Sequence, residues 1–377
     1  MGKFWHTNFC LMCFANLLLS FSIISVFVIY PYWDIAAGSM TALGWSVASF
    51  GAGLYLLGPC NAYLVDVFKR KSVCLTAVFV LLLTLFTYLF GAHSAWSVFV
   101  IRLVQGAAFG VFQMALGSTL LNDLSVSDFR TKADTFYAWF GRIGMGLGLF
   151  VGSYFYSLWG GGAVTWFAIV ACAFAYGCIC RVSVPFRTPI YLKKYSFDRF
   201  WQPEGYVLFI NLLLMSVALG SLLGAVHMHV AYAYWTIGLV VALLVEKHVF
   251  TNADLRSEIV CGLLLMGGGF LLLYAGMVAV NIVIPFVMLG VGCGLASSRF
   301  LLYFLKLSGH CQRGTSQHSC MLGWESGICL GYAVEKTFHW GYLSGFMCVA
   351  VALVMYLFIT HPWFLKHRDR AFKFREF

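Results

Sequence analysis

The chain is 377 residues long, with 61% of them apolar and 10% charged, against about 45–50% and 25% in ordinary soluble domains. Twenty-four basic and 14 acidic side chains cannot cover a soluble fold of this size, and 36 Phe, 19 Tyr and 12 Trp exclude a disordered chain, so most of the surface must face lipid. The net charge of +10 would suit nucleic acid only as a basic face on a soluble domain; here it follows the loops.

The first apolar stretch, Phe9 to Tyr30, is too long for the core of a signal peptide and lacks a small-residue cleavage site, so it reads as a retained membrane helix. At about 20 residues per crossing, the polar and turn-forming segments cut the chain into twelve spans: 8–30, 40–64, 73–91, 95–121, 134–158, 162–182, 205–225, 229–247, 258–276, 279–304, 316–335 and 341–360. With both ends on one side, twenty Lys and Arg, from Lys3 through Arg187 to Arg375, fall on one face and Lys336 alone on the other, which makes the shared face cytoplasmic. The long connection from Arg181 to Gly205 divides six spans from six. The expected organisation is all-α and polytopic: an N-terminal six-helix bundle over 1–182, a cytoplasmic linker over 183–204, a C-terminal six-helix bundle over 205–360 and a basic cytoplasmic tail over 361–377.

The halves echo one another. A shift of 180 aligns Gly58, Ala62, Leu64, Val65 and Asp66 with Gly238, Ala242, Leu244, Val245 and Glu246, and a shift of 179 aligns Gly144, Gly148 and Gly152 with Gly323, Gly327 and Gly331. This reads as a parallel repeat around a pseudo-two-fold axis along the membrane normal. The glycine ladders read as packing faces, because small residues let helices approach closely in lipid.

Span 2 ends in Gly58-Pro59-Cys60-Asn61-Ala62-Tyr63-Leu64-Val65-Asp66-Val67-Phe68-Lys69-Arg70-Lys71, span 4 carries Arg102-Leu103-Val104-Gln105-Gly106, and span 5 carries Gly144-Met145-Gly146-Leu147-Gly148-Leu149-Phe150-Val151-Gly152-Ser153. In these three elements the sequence resembles the major facilitator superfamily, with Ala62, Phe68, Leu149 and Ser153 departing from its usual residues. The resemblance implies two pseudo-symmetric six-helix bundles that work by alternating access. It also implies a gating latch at Gly58, Asp66, Lys69, Arg70 and Lys71, in which Asp66 accepts hydrogen bonds from the N-terminus of a facing helix.

Charges inside spans cost about 2.5–3.5 kcal/mol each on insertion scales unless paired or wetted. Arg102, Arg142, Arg299 and Glu325 qualify, and Glu325 is the only acid well inside a span. Arg299 reads as a structural partner. Glu325 corresponds by the repeat to Gly146, close in depth to Arg142, so the two can face one cavity. Glu325 is the candidate for proton coupling, because a carboxylate can bind and release a proton as its solvation changes. Arg102, Arg142, Gln113, Trp139, Trp324 and Asn16, with Gln317 at similar depth, form the candidate substrate cavity, the arginines acting as modulators of Glu325 or as contacts for an anionic substrate. The inner-loop charges Asp123, Asp128, Arg130, Lys132 and Asp134 are expected to satisfy one another.

Thirteen cysteines, an odd number without C-x2-C spacing, read as buried apolar side chains. The His227-Met228-His229 pair lacks a carboxylate partner, and neither a metal nor a cofactor is expected. No phosphate-binding loop is present for ATP drive. The chain is therefore expected to be a monomeric secondary transporter of a small molecule, not an enzyme, in a plasma membrane that the lack of N-x-[ST] sites suggests is bacterial. Protons are the expected coupling ion. The alternatives are an uncoupled facilitator or lipid flippase and, further off, a multi-span membrane enzyme.

Overall fold

The computed structural model describes residues 4–30, 40–90, 94–184, 193–226, 228–250, 254–276, 281–309 and 312–373. Of the residues named above, Lys3, Arg187, His227 and Arg375 lie outside them. Long apolar runs become helices because lipid offers the backbone no hydrogen-bond partner. The helices are α1 (Thr7–Ser25), α2 (Met40–Leu56), α3 (Arg70–Thr87) and α4 (Ala95–Gln113). A stretch Arg130–Arg181 is broken at Gly160 into α5 before it and α6 after it. The break has φ 76°, a conformation that glycine adopts without steric cost. Then follow α7 (Tyr206–Ala225), α8 (His229–His248), α9 (Leu255–Tyr274), α10 (Val283–Leu307), α11 (Arg313–Phe338) and α12 (Tyr342–Met355).

Among the described residues, nine helices are long and apolar enough to cross a membrane, one of them the stretch that Gly160 divides. The two others are α2, with 17 residues, and α11, whose apolar run is broken by Gln317, His318, Glu325, Glu335 and Lys336. The set is consistent with twelve spans. Outward-facing side chains such as Phe79, 50% exposed, and Phe174, 66% exposed, suit lipid and not water.

Within the halves, α1 packs on α5, α2 on α4 and α3 on α6, mirrored by α7 on α11, α8 on α10 and α9 on α12. Between the halves, α2 lies along α11 and α5 along α8, which are again equivalent pairs. Glycines set the closest approaches. A Cβ on Gly144 would stand 2.2 Å from the Leu17 carbonyl oxygen, and one on Gly331 2.0 Å from that of Val217. Gly148 and Gly152 meet Phe21 and Ser25 of α1, while Gly323 and Gly327 meet Phe209 and Leu213 of α7.

One sequence expectation needs correction. Gly53 and Gly106 meet backbone to backbone between α2 and α4, as Gly238 and Gly290 do between α8 and α10. These pairs put the α2-to-α8 offset at 185 rather than 180, so the counterpart of Glu246 is Asn61 and not Asp66. Gly53 and Gly58 lie five residues apart and either can be set against Gly238 in the sequence, so only contacts resolve the register. The described part of the basic tail is helical and begins packed against α10. From Tyr356–Thr360 the chain continues as helix through His361–Lys373, where Phe364 is buried and Tyr303 of α10 hydrogen-bonds both Tyr356 and His361.

Candidate functional site

Between the bundles lies a cavity of about 100 Å³, lined by Asn16, Gln113 and Arg142 from the first half and by Gln317, Trp324 and Glu325 from the second. It has room for several waters. Gln113 and Ser118 both reach it, although five residues on an α-helix place side chains about 140° apart. A π-helical segment, Met114–Leu120, widens the turn and brings both to one side, the kind of irregularity often found at functional sites. Asn16, Gln113 and Tyr137 satisfy one another: Asn16 Nδ2 donates to the Tyr137 carbonyl at 2.8 Å, Gln113 Nε2 to Asn16 Oδ1 at 2.8 Å, and the Tyr137 hydroxyl to Gln113 Oε1 at 3.0 Å.

Arg142 crosses between the halves. Its Nη2 donates to the Ser297 carbonyl of α10 at 3.0 Å, its guanidinium stacks with Trp139 and Trp324, and its Nη1 is buried without a partner. No carboxylate among the described residues forms an ion pair with it. Two residues expected in the cavity stand outside its lining. Arg102 lies in the first half between the rings of Phe27 and Phe50, donating to Gln105 Oε1 at 3.0 Å. It is a charge held by aromatic faces and by Gln105. Trp139 is buried against Gly294 of α10 and supports Arg142 from behind.

Glu325 is not the only acid inside a span, but its environment differs from the rest. Glu258 and Glu246 both pair with Arg299. Glu335, buried near the far end of α11, accepts from the Gly341 amide at 2.9 Å and the Ser344 hydroxyl at 3.1 Å. Asp134 is bound by Arg313 and Asp66 by Arg70 and Arg199. Glu325 lines the cavity with no hydrogen bond or ion pair among the described residues.

At the end of the molecule that carries the linker, Asp134 of α5, fully buried, accepts from Arg313 Nε of α11 at 2.8 Å, and Arg313 Nη2 donates to Thr131 at 2.7 Å. With its amide turned to suit its neighbours, Gln317 donates to Asp134 Oδ1 at 3.3 Å. The expected mutual satisfaction of the inner-loop charges therefore fails: Asp134 pairs across the halves and Asp123 pairs with Arg70. The offset of 179 that matches the glycine ladders carries Asp134 onto position 313, so this pair joins equivalent positions and lies close to the pseudo-two-fold axis. That coincidence of offset is the signal that sequence reasoning missed.

The expected latch has a different partner. Asp66 is bound by guanidinium groups, Arg70 at 3.0 Å and Arg199 at 3.1 Å, and not by a facing helix terminus. The backbone amide of Arg199 in turn donates to Thr315 in the first turn of α11 at 3.1 Å. Phe200 of the linker covers Gly58, where a Cβ would stand 2.1 Å from its ring. The linker therefore ties the end of span 2 to α11. Lys71 donates to the carbonyls of Cys180 and Val182 at the end of α6, while Lys69 is exposed at the start of α3. Asp66→Asn should slow turnover about tenfold, the worth of one charged hydrogen bond, with substrate affinity changed only a few-fold. Equal losses of binding and turnover in a flux and binding assay would place Asp66 at the substrate instead.

A central cavity with a few charged and polar side chains in an apolar wall, between two pseudo-symmetric six-helix bundles and flanked by charged cross-half contacts, is the architecture of a membrane carrier. The sequence profile of the Major Facilitator Superfamily matches residues 12–332, and the chain belongs to that family. Its fold is similar to that of the human organic anion transporter MFSD10 (TETRAN), at 15% identity and TM-score 0.72 over 95% of this chain and 98% of that one. It is also similar to the nucleoside transporter NupG, at 12% identity and TM-score 0.68 over 92% and 97%, and to a bacterial homologue of the iron transporter ferroportin in its outward-facing state, at 12% and 0.68 over 97% and 100%. No curated protein matches the sequence.

Proposed function

We propose that the chain is a proton-coupled secondary transporter in which Glu325 carries the coupling proton and the central cavity carries a small molecule. The observation that supports this is the contrast among acids: Asp66, Asp134, Glu246, Glu258 and Glu335 are all bonded, while Glu325 faces a cavity large enough for water and has no hydrogen-bond or ion-pair partner among the described residues. The titratable and charged groups around it are Arg142, Tyr137 and Cys320 in the cavity wall, and Arg102 and Cys329 close behind it. When the bundles part, the solvation of Glu325 changes more than that of an acid locked in an ion pair. The segregation of basic residues supports a plasma-membrane topology with both termini and the linker in the cytoplasm, and a single chain supplies both walls of the cavity.

The test uses purified protein in liposomes and a substrate found by ligand-induced thermal stabilisation. With one proton moved per substrate, an inward gradient of one pH unit should sustain about tenfold accumulation. A protonophore should erase it. Equilibration without accumulation would make the chain a facilitator.

A further inference from the structure

Arg142 and Glu325 divide the cavity chemistry unequally. The arginine is 8% exposed and an arginine stays charged in proteins, yet no acid among the described residues pairs with it. Glu246 of α8 is already engaged by Arg299 at 3.1 Å and by Ser298 at 3.0 Å. One edge of the guanidinium is occupied by the Ser297 carbonyl and its π-system by indole rings, which leaves in-plane N–H groups as the means of holding a ligand. A planar carboxylate matches that geometry. A phosphate or sulfate would need further cationic donors, and among the described residues Arg142 is the one arginine or lysine in the lining. The remaining walls are apolar, with Ile23, Phe50, Phe109 and Leu301 among them.

Charge balance narrows the choice further. Arg102 and Arg142 with an ionised Glu325 leave the empty site one net positive charge. Binding a monoanion while Glu325 takes one proton from solution restores the same single charge, so loaded and empty carriers meet similar electrostatic costs as they reorient in lipid. A zwitterion bound with a proton would leave two positive charges, and a dianion none.

We propose that the substrate is a small organic monoanion, a carboxylate with a short apolar body, held by Arg142 in the cavity of α1, α4, α5 and α11 and carried together with one proton on Glu325. The inference rests on the proton-coupled reading for the proton alone; recognition of the anion stands on Arg142.

The experiment is calorimetric titration of the full chain in detergent at low buffer strength, with a pH indicator reporting protons. The probes are acetate, butyrate and benzoate, set against butanol and benzyl alcohol, butylamine and benzylamine, and the zwitterions 4-aminobutyrate and phenylalanine. At least one carboxylate should bind saturably, in preference to its alcohol, amine and zwitterion counterparts, with about one proton taken up per site. Arg142→Gln should weaken that binding roughly 10–100-fold, the worth of a hydrogen bond to a charged group. Arg142→Lys, with its melting temperature checked against the parent, should keep the preference for carboxylates over amines. Glu325→Gln should bind the carboxylate without proton uptake. Absence of carboxylate binding across the panel, preference for an amine or zwitterion, or parental affinity in folded Arg142→Gln overturns the proposal. Carboxylate binding by the parent without proton uptake leaves the anion inference standing and removes the coupled reading instead.

Discussion

Glu325→Gln should abolish accumulation driven by a pH gradient and leave counterflow exchange running. Glutamine keeps the size and polarity of a protonated carboxyl group but has no proton to give up, so the carrier is held in the form that reorients with substrate. Exchange needs only the loaded carrier to cross. Net accumulation needs the proton to leave on one side and return from the other. Glu325 makes no hydrogen bond or ion pair among the described residues, so the change strands no partner, unlike substitution of the bonded Glu335 or Glu258. The substrate ratio should fall from about tenfold per pH unit to unity, with counterflow within a few-fold of the parent. If both assays fail in a protein that still melts normally, Glu325 holds the substrate and not the proton.

The second large effect is expected at the cross-half pair. Removing one partner of a buried ion pair costs about 3–5 kcal/mol because the other is left uncompensated, and Asp134 is fully buried. Arg313→Ala strands that carboxylate only while the bundles are closed at the linker end; when they part there, water reaches it. The substitution therefore biases the carrier toward opening on that side. Cys320 lines the cavity, and in a background with the other accessible cysteines replaced, its labelling by a small maleimide from the linker side should accelerate by at least about tenfold. Because Asp134 and Arg313 occupy equivalent positions, the double exchange Asp134→Arg with Arg313→Asp should return labelling close to the parent rate. Parental labelling in the single variant would show that the pair does not hold the gate.

Membrane embedding, the two six-helix bundles and the family were all legible in the sequence, because hydropathy and the presence of short motifs are properties of local segments. The length of the apolar runs sets the crossings, and Gly58 to Lys71 carries its signature whatever it packs against. Glu325 stood out for the same reason, as an acid within an apolar run. The azimuth of each charge and its partner were decided only by the tertiary structure. Position within an apolar run singles out both Arg102 and Arg142, yet one is clasped by Phe27 and Phe50 while the other faces the cavity. The π-helical turn that brings Ser118 beside Gln113 depends on how the helix packs, and no motif announces it. The register of the repeat read as 180 rather than 185 because Gly58 matches Gly238 in sequence as well as Gly53 does, and only the backbone contact of Gly238 with Gly290, like that of Gly53 with Gly106, decides between them. Asp134 meets Arg313 across 179 residues, and a desolvated ion pair is stabilised by proximity in space, which a linear pattern of charges does not encode.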